Sequence, residues 1–88
     1  MDKLKIKGQS PISFIRYYLY DYRKTNDYTM EDMAEMMGIS LNYYGDLEKG
    51  NKGEKMSIHT AYKIAQALQV SLDNLYLLEE EYQERILL

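Results

Sequence analysis

The stretch from Thr29 to Gly50 constrains this chain most, because it leaves room only for two short helices with one sharp corner between them. Thr29 and Asp32 have the spacing of a reciprocal N-terminal cap, in which hydroxyl and carboxylate each accept a bond from the other residue's backbone. Met30, Met33, Ala34 and Met37 then recur at helical spacing, a stripe that reads as core filling by flexible side chains. Gly38 ends this helix after little more than two turns, at a point where the chain needs a left-handed backbone. Ser40 is placed to cap a second short helix that runs to Lys49 and is closed by Gly50. Ala34 is small where the two helices should cross closely. Ile39, Tyr44 and Leu47 fall on the inward side, which leaves Leu41, Asn42, Tyr43, Gly45 and Asp46 facing outward.

The remaining segments also read as helices. Ser10 followed by Pro11 is a strong start signal. A first helix is expected from Pro11 to Thr25, with Ile12, Ile15, Leu19 and Tyr22 on one stripe, stopped by the polar pair Asn26 and Asp27. Ser57 should open a fourth helix with Ile58, Ala61, Ile64, Ala65 and Leu68 inward. Ser71 should open a fifth, carrying Leu72, Leu75, Leu78, Tyr82 and Ile86 on a stripe. Apart from Leu4 and Ile6, nothing alternates as a strand does. The expectation is an all-α domain of five helices. Its 88 residues suffice for one core. Residues 1–9 form a basic arm with Lys3, Lys5 and Lys7, 10–76 the domain, and 77–88 an acidic and apolar helical extension.

The chain has no cysteine, which rules out a disulfide framework and speaks against a zinc finger. Stability must therefore come from helix packing or from pairing with a second copy. The ten tyrosines are expected half-buried at the rim of a small core. The apolar run Leu75 to Leu78 is far too short to span a membrane, and no apolar block follows the N-terminal lysines as in a signal peptide. The expected location is the cytoplasm. Net charge is -3, which by itself disfavours nucleic acid. Yet residues 1–76 balance, and the excess comes from Glu79, Glu80, Glu81 and Glu84, offset only by Arg85. On this reading the acidity belongs to the tail.

A short helix, a glycine corner and a second, serine-capped helix follow the order of a helix-turn-helix. From Ile15 to Tyr76 the sequence resembles the lambda-repressor/Cro-like (XRE-type) helix-turn-helix domains of phage repressors and bacterial regulators. The resemblance rests on Arg23, Thr29, Met33-Ala34-Glu35, Gly38-Ile39-Ser40, Leu47-Glu48-Lys49-Gly50 and the run Ile64 to Leu75. It implies a compact five-helix domain that binds double-stranded DNA and reads the major groove with its third helix, about 40–49. It further implies a buried structural pair between Arg23 and Glu48, whose disruption would strand a charge at a cost of about 3–5 kcal/mol. Met30, Leu41, Asn42, Tyr43 and Asp46 fall at the positions that usually face DNA, beside Ser40. Members often carry Gln where this chain has Met30, and polar or basic residues where it has Leu41 and Asp46.

The chemistry of these side chains suits base edges unevenly. Asn42 can pair bidentately with adenine, Leu41 can touch a thymine methyl, and Asp46 can accept from a cytosine amino group while repelling phosphate. Positive charge must come from the flanks, from Lys49, Lys52 and Lys55 after the third helix and from the N-terminal arm. A sequence-specific transcriptional repressor acting as a homodimer is the leading reading, with Leu75, Leu78, Tyr82 and Ile86 as the dimerisation stripe. That stripe could instead pack back on the core. The alternative function is a protein-binding module on the same fold, such as an antitoxin, antirepressor or inhibitor. Gly50-Asn51-Lys52-Gly53 matches the loop of KH RNA-binding domains, but that fold requires a sheet. His59 stands alone without metal-ligand spacing. No nucleophile, triad or phosphate loop suggests an enzyme, and no cofactor or metal is expected.

Overall fold

The computed structural model describes residues 15–52 and 56–87, the last two by backbone only. Five helices follow one another: α1 (Tyr17–Thr25), α2 (Met30–Met37), α3 (Leu41–Lys49), α4 (Ile58–Leu68) and α5 (Leu72–Leu87). Among the described residues there is no strand, and the fold is the all-α helix-turn-helix arrangement that the spacing of caps and glycines implied. α2 packs on α3 and α4, α4 on α5, and α1 on α3. Leu19, Met33, Met37, Tyr44, Leu47, Ala61, Ile64 and Leu75 meet in one core. The three α2 core residues Met33, Ala34 and Met37 all point into it, so these members of the methionine stripe are packing material, while Met30 is only partly buried at its edge.

Local chemistry explains most of the boundaries. Ser57 Oγ accepts the Thr60 N–H at 3.1 Å and Ser71 Oγ the Asn74 N–H at 3.0 Å, each satisfying a donor that its helix leaves free. Asn26 closes α1 by donating its side-chain amide to the Tyr22 carbonyl at 2.8 Å. α4 ends on Gln69, a non-glycine residue held at φ 61°.

Two expectations are corrected. A continuous helix from Pro11 does not form, because Ile15 and Arg16 are not helical and α1 begins at Tyr17. Arg16 is held out of helical geometry, at φ -77° and ψ 85°, by a bond from its backbone N–H to the Glu48 carbonyl at 2.8 Å. Ile58 is not a core residue but 67% exposed. As the first residue of α4 it projects toward the helix N-terminus, beyond the reach of the packed face. α5 continues unbroken across residues 76 and 77, as a helical extension would, and carries Glu79 inward. Ser10, Pro11, Ile12, the basic arm 1–9 and Lys55 lie outside the described residues.

Candidate nucleic-acid interface

The α2–α3 corner is built from a few local bonds. The Thr29 N–H donates to Asp32 Oδ2 at 2.9 Å and the Asp32 N–H returns to Thr29 Oγ1 at 3.0 Å, a complete capping box. Gly38 sits at φ 68° and ψ 36°, and the next N–H, that of Ile39, reaches back to the Ala34 carbonyl at 3.0 Å. That left-handed step turns the chain into α3 without a Cβ penalty. Ser40 Oγ then accepts the Tyr43 N–H at 3.1 Å. Gly50, at φ 83°, closes α3.

A buried ion pair fixes how α3 lies against α1. Arg23 Nε donates to Glu48 Oε1 at 2.8 Å and Nη2 to Oε2 at 3.0 Å, the bidentate fork that suits a carboxylate. Tyr44 OH also donates to Glu48 Oε1, at 2.7 Å. Burial, reinforced by the bond and charge of Glu48, pushes the Tyr44 phenol well above its ordinary value, so it stays a donor. Arg23 Nη1 also donates to the Tyr28 carbonyl at 3.3 Å, so each guanidinium nitrogen has an acceptor. The result is a rigid platform with the opposite face of α3 left free.

On that free face a shallow groove opens between the start of α2 and the outer side of α3, lined by Thr29, Met30, Glu31, Leu41, Asn42, Gly45, Asp46 and Lys49. It brings together Met30, Leu41, Asn42, Asp46 and Lys49 of the residues singled out from sequence. Ser40, Tyr43 and Lys52 do not line it. Ser40 has its hydroxyl committed to the cap, and Tyr43 is half-buried against the core rather than projecting. Lys52 stands beside the groove with its Nζ 3.9 Å from Asp46 Oδ2, both side chains substantially exposed. An exposed pair of this kind contributes little to stability, but it places a cation next to the carboxylate that would repel phosphate. Thr29 and Glu31 were not anticipated as lining. The signal that could have found them is the capping box itself, which sets the start of α2 at the open end of the corner.

A second polar cluster was not visible in sequence. Arg16 is 1% exposed. Its Nη1 donates to the carbonyls of Leu47 at 2.7 Å and Lys52 at 2.9 Å, just where α3 ends. Its Nε and Nη2 grip Glu79 of α5 at 2.9 and 2.6 Å. Tyr18 OH donates to the same carboxylate, and the guanidinium carbon stands 4.6 Å from the centre of the Tyr82 ring. The expected dimerisation stripe is corrected accordingly. Leu75 is fully buried and Tyr82 6% exposed within a single chain, because Leu75 completes the core and Tyr82 covers Arg16. Leu78 is half-buried, and the Ile86 side chain lies outside the described residues.

Among the described residues no three metal-ligating side chains converge, and no helix is long and apolar enough to cross a membrane. Comparison with curated proteins and with solved structures gave no match. Residues 19–75 do match a family model, that of the helix-turn-helix. The matched span contains the capping box, the Gly38 corner, the Arg23–Glu48 pair and the whole of α3, and the chain belongs to the Cro/C1-type (XRE-like) helix-turn-helix family of DNA-binding regulators.

Proposed function

We propose that the protein is a sequence-specific transcriptional regulator of the repressor kind, acting in the cytoplasm, which lays the outer face of α3 in the major groove of double-stranded DNA. The observation that carries this reading is the open groove between α2 and α3, where Asn42, Leu41, Asp46 and Lys49 face outward from a platform fixed by the Arg23–Glu48 pair. Asn42 is the reader of adenine, and Lys49 and Lys52 meet the phosphates. Pairing of two copies on adjacent half-sites belongs to the same reading. Since Leu75 and Tyr82 are occupied inside each chain, the exposed Tyr76 and Leu77 are apolar residues of α5 left for it among the described side chains.

The test is binding of the purified protein to its own promoter-proximal DNA, followed by fluorescence anisotropy over a salt series. Affinity should fall steeply with salt. Asn42→Ala should lose discrimination between sequences, whereas Lys52→Ala should weaken all of them alike. A second reading draws on Glu31 and Asp46, which make the groove partly acidic. In that reading the same face holds a basic protein segment, and no DNA binds even at low salt.

A further inference from the structure

Gly45 lies in the middle of α3, where glycine is a poor choice for a helix. Nothing among the described residues demands it. Its backbone is ordinary right-handed helix, and among the described residues Gly38 and Gly50 are the glycines at positive φ. Among the described residues, a Cβ built on it would meet no atom within 4 Å beyond its chain neighbours and its own helix backbone. The missing side chain therefore leaves open room on the outer side of α3. Leu41, Gly45 and Lys49 are spaced four apart and share one face, so the helix presents an apolar side chain, a gap and a cation in a row. Leu41, 44% exposed, and Met30 of α2 wall the gap with apolar surface. Glu31 and Asp46 also line the groove, and two carboxylates oppose close approach of a phosphate.

The major groove offers one apolar feature at base level, the 5-methyl group of thymine. We propose that the gap over Gly45, between Leu41 and Met30, receives the 5-methyl group of a thymine and makes Gly45 a specificity-determining residue. The inference rests on the DNA-binding reading above.

The test starts from duplexes that the full-length protein enriches from a synthetic random pool, which carries no methylated cytosine. Each thymine of an enriched duplex is replaced singly by deoxyuridine, which removes only the methyl group. One thymine in each contacted half should show about fourfold weaker binding on replacement, the worth of one buried methyl. Gly45→Ala should melt at a higher temperature than wild type, bind the thymine duplex more weakly, and no longer distinguish thymine from deoxyuridine. If no thymine shows a methyl effect, or if Gly45→Ala keeps both affinity and discrimination, the proposal is overturned. A lower melting temperature for Gly45→Ala overturns it too, by giving the glycine a structural role. Failure of the wild type to bind any duplex at low salt removes the DNA-binding reading itself, and this inference with it.

Discussion

Glu79 shows what a single carboxylate does when it is taken largely out of water next to a guanidinium. Burial pulls its pKa up, but the hydrogen bonds from Arg16 and Tyr18 and the Arg16 charge outweigh that pull and leave it below the ordinary 4.5. Because the folded value lies below the unfolded one, the pair's contribution is fully present above about pH 4.5 and is lost as pH falls below that. Tyr18, which burial and the neighbouring Glu79 push up, works in the opposite sense. Its contribution is complete below the ordinary tyrosine value of 10.0 and declines as pH rises above it. Glu79→Gln should therefore cost about 3 kcal/mol at pH 7, where it leaves Arg16 buried beside a neutral group. The deficit relative to wild type should shrink at pH 3. Urea denaturation of both proteins at the two pH values checks this, and a deficit independent of pH would contradict it. Of the two buried arginines, Arg23 was legible because the order of motifs around it resembles a known family. Arg16 was not: its partner lies 63 positions away, with no short-range pattern to join them, and the Ser10-Pro11 signal drew it into a helix.

Among elements, α2 and α3 were the most legible because their limits are set within three or four residues. Thr29 with Asp32, the Gly38 corner, Ser40 and Gly50 each act through bonds to their immediate neighbours. The end of α4 was less legible. Gln69 takes the left-handed position that glycine usually fills, and its N–H still reaches back to Gln66 and Ala65. A side chain there costs about 1–2 kcal/mol, part of which glycine gives back as backbone entropy. Gln69→Gly should accordingly stabilise the protein by about 0.5–1 kcal/mol and raise the thermal midpoint by several degrees. A melt showing no gain would mean that the α4–α5 turn draws on the glutamine side chain. The exposed Ile58 marks the limit of periodicity as a guide. The spacing assigns it a face, but its position at the helix end decides what that face meets.

At the scale of the molecule, α5 is an integral part of the domain and not an appendage. Leu75 closes the core, and one turn later Glu79 reaches Arg16, whose guanidinium also ties down the carbonyls at the end of α3. A chain ending after Tyr76 would keep every residue of the helix-turn-helix motif yet lose Glu79 and Tyr82, stranding a buried cation. Such a truncation should lose the cooperative thermal transition followed by circular dichroism. A melt like that of the full chain would show that Arg16 can be solvated without consequence. The same connection steadies the face proposed to read DNA, since α3 is held by Arg23 along its buried side and by Arg16 at its C-terminal end.

That face is where the account is most exposed to test. A two-dimensional amide NMR titration of the full chain with its own promoter-proximal duplex, at low salt, would locate the contact directly. The largest shifts should fall on Thr29 to Glu31, Leu41, Asn42, Gly45, Asp46, Lys49 and Lys52, with smaller changes in α5 confined to the surroundings of Tyr76 and Leu77. Shifts concentrated on α5 and the outer side of α4, or no shifts with any duplex, would contradict it.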